Sequence, residues 1–168
     1  RIPDMVLSNT GRLHISSGYY NTSAASSGYR YTDNPATVTT TTWTSPVTTF
    51  PTQYNVALAV NGNTLYALPS NSTWQVPTIY KSTNGGVNWT ATATTPAFTN
   101  QAAWYTLAIG IDPNNADNVI VGSLDCYKTI NGGTSWTKIS SWVGTTGQYV
   151  HADQHAVTWS NTNRVIIS

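Results

Sequence analysis

The sequence predicts an all-β protein built from repeated four-stranded antiparallel sheets. Three observations predict it: a tryptophan-bearing box that recurs 47 positions on (Trp89, Trp136), paired short apolar segments around tight turns, and a Glu-free chain rich in Thr, Ser and Asn. Hydroxyl and short amide side chains compete with the helical backbone and suit strands and turns. Internal self-similarity at a period in the forties is the mark of a repeat architecture.

The box is read first. Ile79-Tyr-Lys-Ser-Thr-Asn-Gly-Gly-Val-Asn-Trp-Thr90 recurs as Cys126-Tyr-Lys-Thr-Ile-Asn-Gly-Gly-Thr-Ser-Trp-Thr137. A third, damaged copy stands upstream as Tyr31-Thr-Asp-Asn-Pro35, followed after an insertion by Thr42-Trp43-Thr44. Asn-Gly-Gly between β-favouring segments is a hairpin signal, because Asn tolerates a left-handed backbone and Gly adopts positive φ without a Cβ clash. The Asn84 or Asn131 side chain can bond the turn's own amides, and the following Trp can fold back beneath it. Ser82, Asn84, Gly85, Gly86 and Trp89, with Thr129, Asn131, Gly132, Gly133 and Trp136, are therefore assigned to structure.

Between boxes a second pattern recurs. Residues 56–60 and 64–68 are short apolar strands around Asn61-Gly-Asn63. The same plan returns at 106–111 and 119–122, at 155–159 and 164–167, and at 5–7 and 12–15. Each unit then has four strands, two from this pattern and two clipped by a box. Four-stranded units at this period fit the blades of a β-propeller; a solenoid wants shorter repeats, and a sandwich does not repeat its turn chemistry so literally. The expected organisation is a degenerate first blade over 1–53, a second over 54–101, a third over 102–148, and two strands of a fourth over 149–168. About three and a half blades do not close a ring, so the chain is expected to be a fragment of a larger, seven-bladed propeller and to need the rest of that propeller as a partner.

Composition bounds the function. Of 168 residues only 8% are charged, with a net charge of +1 and no run of like charge, so no footprint for nucleic acid or an anionic membrane is present. No apolar run reaches the roughly 20 residues of a membrane helix, so no membrane insertion is expected. Cys126 is the single cysteine, which excludes an internal disulfide and reads as a small buried thiol. No signal peptide is recognisable; for an exported protein it has been removed or lies outside this chain.

The motif Ser/Thr-x-Asn-Gly-Gly-x-x-Trp resembles the Asp-box, or BNR, repeat of sialidases, xyloglucan-cleaving enzymes, sortilin and photosystem assembly factors. Those families share a turn and a fold but no common activity. The resemblance implies that the box lies at the outer side of the blade, away from the ligand face. The stretch from Ile111-Asp-Pro through the second box, Ser141-Trp142 and Tyr149-Val-His-Ala-Asp-Gln-His-Ala156 is similar to large propeller proteins of Bacteroidetes exported by the type IX route. That resemblance implies a secreted or cell-surface location.

Candidate sites were weighed against ordinary structural roles. His151, Asp153 and His155 on an extended strand would point to one face, where two imidazoles and a carboxylate suit zinc or another divalent ion. Their ordinary role would be hydrogen bonds that order a loop. Arg1-Ile2-Pro3 resembles the Arg-Ile-Pro motif that opens sialidase propellers, which implies a carboxylate-gripping role for Arg1. The loop after Ile15 lacks the acidic residue that this family uses. Six Asp residues are available for glycoside hydrolysis; Asp112 and Asp117 belong to a turn, Asp33 to the damaged box, and no acid/base pair is evident. Trp104 and Trp142 lie in predicted connections and can stack on sugar rings or cover seams between blades. Three triplets beginning at Asn21, Asn71 and Asn88 match the glycosylation acceptor pattern, as a Thr-rich chain produces by chance. The expected function is a rigid extracellular scaffold for a glycan or protein partner. The alternative is a sialidase-like or xyloglucanase-like glycoside hydrolase whose remaining catalytic groups lie outside this chain.

Overall fold

The computed structural model describes residues 4–17, 28–40, 42–52, 54–144, 148–160 and 164–168. Strands β1 (Asp4–Leu7), β2 (Leu13–Ser17) and β3 (Gly28–Thr32) form the first antiparallel sheet, and Thr44 adds a single bridge to Tyr31 at its outer edge. The second sheet runs β4 (Val56–Asn61), β5 (Thr64–Pro69), β6 (Tyr80–Ser82) and β7 (Thr90–Ala91) in chain order. The third does the same with β8 (Ala108–Asp112), β9 (Asn115–Gly122), β10 (Cys126–Thr129) and β11 (Thr137–Lys138). A two-residue parallel pair, β12 (Ser140–Ser141) with β13 (Gln148–Tyr149), precedes the hairpin β14 (Val157–Trp159) and β15 (Val165–Ile167). The only helical element among the described residues is a 3-10 turn over Pro35–Thr37. The inner strands β1, β4, β8 and β14 lie beside one another in that order, so successive sheets fan out from one side. This is the propeller-blade architecture that the repeat predicts.

Each box is held by the same bonds. In the second sheet the Ser82 hydroxyl accepts from the Gly86 amide at 2.9 Å, and Asn84 Oδ1 accepts from the Asn88 amide at 2.9 Å. In the third, Thr129 Oγ1 accepts from the Gly133 amide at 3.0 Å and Asn131 Oδ1 from the Ser135 amide at 3.0 Å. All four glycines have positive φ, from +66° to +88°, which only Gly adopts without strain. The damaged copy keeps one bond, from the Asn34 amide to Thr32 Oγ1 at 3.2 Å. Pro35 stands where the first Gly should be; its ring fixes a negative φ, and the chain takes the 3-10 turn instead. The bridge of Tyr31 to Thr44 matches the pairs Lys81 to Thr90 and Lys128 to Thr137, so Trp43 holds the place of Trp89 and Trp136.

The core lies between sheets. One cluster joins Tyr29, Tyr31 and Phe50 to Val56, Leu58, Leu65 and Trp89; the other joins Tyr66, Leu68 and Ile79 to Ile109, Ile111, Val119 and Val121, with Trp136 packed on it. Each box Trp thus faces the preceding sheet. Trp89 is buried and donates to its own Gly86 carbonyl, whereas half-buried Trp136 donates to the carbonyl of Thr94 in the preceding unit's connection. Ser82→Ala should cost about 1–3 kcal/mol, because it leaves the buried Gly86 amide without its acceptor; the drop in urea midpoint checks it, and Ser82→Thr should recover most of the loss.

Several strand limits differ from expectation. The third sheet's second strand begins at Asn115 rather than Val119, because Asp112 pairs with Asn115 across an irregularity that shortens the predicted turn. Strand β14 begins at Val157 rather than His155. Ala156 and Ser168 exchange backbone bonds, but the 155 amide also goes to the Ser168 carbonyl, so ladder geometry stops there.

Candidate functional site

The meander gives the sheets two unlike ends. At one end lie the turns between first and second strands and the boxes, tied together: the Gly85 amide donates to the Asn63 carbonyl at 2.8 Å and the Gly132 amide to the Asp117 carbonyl at 3.1 Å. At the other end lie the long loops joining second to third strands and the connections from one sheet to the next. Every exposed large aromatic among the described residues is on that loop end: Trp104 (48% exposed), Tyr105 (56%), Trp142 (42%) and Tyr149 (64%). All four described non-glycine residues with positive φ are there too: Trp74, Asn100, Gln101 and Asp153. Such backbone persists where surroundings over-determine it, commonly in binding loops. Here bonds from neighbouring sheets supply that restraint. The Ala103 amide donates to the Trp74 carbonyl, Asn55 Nδ2 to the Ala103 carbonyl, and the Leu124 amide to the Phe98 carbonyl.

The loop end contains a cleft of about 500 Å³ between the second and third sheets, with Gln75, Phe98, Asn100, Asp125 and Trp142 in its walls. Asp125 is fixed there by Lys138 Nζ at 2.8 Å and by the Trp142 amide, which donates to Oδ1 at 3.1 Å. A smaller cleft of about 270 Å³ lies one seam earlier, among Pro51, Tyr54, Asn71, Pro77 and Tyr80. Tyr54 meets Trp74 edge-on at 5.3 Å. Where the four inner strands converge, a groove of about 410 Å³ is walled mainly by apolar side chains, including Val6, Leu58, Ile109 and Trp159.

The predicted histidine site takes another form. Residues 151–156 are irregular, not a strand, because the Asp153 and Gln154 amides both donate to the Ser123 carbonyl and Asp153 turns to φ +78°. That kink breaks the alternation that would have put His151, Asp153 and His155 on one face. Among the described residues no three His, Cys, Asp or Glu side chains stand together to hold a metal ion. His151 Nδ1 lies 2.5 Å from the Ala152 carbonyl, His155 packs edge-on against Tyr105 at 4.7 Å, and buried Gln154 donates to the His151 carbonyl. Arg1 lies outside the described residues. Trp142 reaches the larger cleft, and Trp104 lies tilted against Tyr105 with ring centroids 5.3 Å apart. Gln75, Phe98 and Asn100 had no sequence signal, since loops distant in the chain bring them together.

Carboxylates elsewhere hold structure. Arg12 Nε meets Asp33 at 2.6 Å and draws its pKa down, while Lys81 Nζ meets Asp117 at 2.7 Å. The Asn114 amide and then the Asn118 side chain hold Asp112 below the usual carboxylate range. Burial raises the pKa of Asp4, opposed by the Leu58 amide donating to Oδ2 at 2.7 Å. Burial also raises that of the Cys126 thiol, which is inert packing.

No protein-family model matches the chain, and no curated protein sequence does. Solved structures do. A GH74 enzyme of Niastella koreensis is similar over 99% of this chain and 26% of its own, at 19% identity and TM-score 0.61. A structure of YCF48 bound to D1 peptide is similar over 99% of this chain and 46% of its own, at 13% identity and TM-score 0.62. A NanB sialidase variant of Streptococcus pneumoniae is similar over 96% of this chain and 26% of its own, at 13% identity and TM-score 0.55. At such identities the likeness is one of fold. The chain spans about a quarter to a half of the length of these proteins, and it has the all-β architecture of a propeller fragment.

Proposed function

We propose that the chain is part of a secreted or cell-surface Asp-box β-propeller, a rigid non-catalytic scaffold that offers its loop end to a glycan. The supporting observation is the concentration of exposed aromatics, restrained positive-φ residues and both seam clefts at one end, opposite the tight turns. Exposed flat rings beside hydroxyls and amides suit sugars, whose faces are apolar and whose rims are polar. The bond-for-bond repetition of Ser/Thr-x-Asn-Gly-Gly-x-x-Trp supports the Asp-box reading, and the sparse charge and the resemblance to type IX cargo support export. Propellers of this fold include enzymes named for xyloglucan and sialidase activity and one that binds a peptide, so the scaffold is compatible with either partner class; the aromatics favour the glycan. A hydrolase would need a second carboxylate beside Asp125, and the described walls of its cleft hold none.

Glycan-array binding of the labelled chain tests this. Binding to at least one glycan family is expected, weakened by the loop-end double variant Trp104→Ala/Trp142→Ala and unchanged by Ile130→Ala at the box end. An array without signal, or equal loss in both variants, overturns the proposal.

A further inference from the structure

The two clefts at the loop end are repeats of one another. Leu124 and Asp125 of the larger correspond to Pro77 and Thr78 of the smaller, each shifted by the 47 positions that separate Trp89 from Trp136. Pro77 lines both clefts, so they adjoin. The larger, about 500 Å³, has the volume of a ligand site, roughly 300–1,000 Å³, and the smaller, about 270 Å³, falls just below that range.

Charge decides the ligand class. Among the described residues the only charged side chain lining either cleft is Asp125, and Lys138 already neutralises it at 2.8 Å. An anionic sugar, a phosphate or a cationic ligand would find no counter-charge left, and would lose hydration without compensation. What remains suits a neutral polyol. Gln75 and Asn100 in one cleft, and Ser72 in the other, offer amides and a hydroxyl. Trp142, 42% exposed at the rim of the larger cleft, and Tyr54 in the smaller offer flat apolar faces.

From this arrangement we infer that the loop end binds a linear, uncharged oligosaccharide lying across both clefts and over Pro77, with Trp142 as its stacking platform. The inference rests on the glycan reading above and adds the chemical class and the subsites. Among the described residues Asp125 stands without a second carboxylate and has both oxygens engaged, so the sugar is held and not cleaved.

Calorimetric titration of the chain with neutral gluco-, xylo- and manno-oligosaccharides, from disaccharide to hexasaccharide, tests it, with oligogalacturonates of the same lengths as the anionic comparison. At least one neutral series should bind, and its affinity should rise about tenfold or more with length as the second cleft fills. Trp142→Ala should weaken hexasaccharide binding about tenfold, and Trp142→Phe should restore it to within about threefold. Tyr54→Ala should abolish the gain with length. Thermal unfolding of each variant shows that it remains folded. Neutral binding that both Ala variants leave intact, or a preference for oligogalacturonates, overturns the inference and leaves the glycan reading standing. Failure of every sugar together with an empty array overturns both.

Discussion

Gly86→Ala should be among the most damaging single methyl additions in this chain, costing about 2–5 kcal/mol, a large share of the roughly 5–15 kcal/mol that holds a domain folded. Two effects add. Gly86 has φ +80°, where an L-residue carries a steric penalty of roughly 1–2 kcal/mol. A Cβ built there would lie 1.7 Å from Tyr29 Oη and 2.7 Å from its Cζ. Tyr29 cannot step aside: it is fully buried, shares a 2.6 Å hydrogen bond with His14 Nδ1, and is pinned edge-on by Trp89 at 5.1 Å with Phe50 at 5.7 Å. Overpacking of so rigid a site supplies the remaining 1–3 kcal/mol. Two other glycines calibrate the effect. Gly11 has φ +88° with nothing within 4 Å of its virtual Cβ, so Gly11→Ala should cost only the backbone penalty. Gly133 has φ +88° and the Thr92 methyl at 2.7 Å, so its Ala variant should fall between. Urea midpoints at neutral pH should rank the three in that order; a Gly86→Ala variant no weaker than Gly11→Ala would show that the first and second sheets are not locked by this contact.

That contact also marks how far the chain was legible. The Asn-Gly-Gly turn carries its own chemistry, so its hydroxyl and amide bonds and the positive φ of its glycines were readable before any tertiary contact. The inner strand pairs were equally plain, because residues such as those of Val56–Asn61 and Ala108–Asp112 are apolar on both faces and their sheets bury both faces. The segment around His151 was misread for a related reason. Alternation of polar residues suggests a strand only where a neighbouring strand takes the amides, and there a single carbonyl, that of Ser123, takes two of them. Asp, with its short polar side chain, then accepts the left-handed turn at 153 at little cost. Strands β12 and β13, two residues each, leave no pattern at all to detect. The seam clefts were invisible because Gln75, Phe98, Asp125 and Trp142 meet only after three loops have been placed.

Acid should weaken the chain well above the pH at which carboxylates titrate. His14 is fully buried on β2, its Nδ1 is bonded to Tyr29 and its Nε2 has no partner among the described residues. Burial, with help from the nearby Arg12 charge and against a smaller pull from Asp33, lowers its pKa from 6.5 to about 4. The folded base therefore binds its proton less readily than the unfolded chain does. Between about pH 6.5 and 4 unfolding takes up a proton, and stability falls as pH falls, by at most about 3 kcal/mol across the window at 1.36 kcal/mol per unit. Asp33 and Asp112, held low by their partners, lose their contribution only below that window, while Asp4, raised by burial, changes in the opposite sense at its lower edge. His14→Phe removes the titrating ring, keeps the volume and gives up one bond to Tyr29. It should lower the urea midpoint at pH 7 yet flatten its dependence on pH between 6.5 and 4.5. Parallel pH profiles for the two proteins would show that His14 is not the group that the fold keeps neutral.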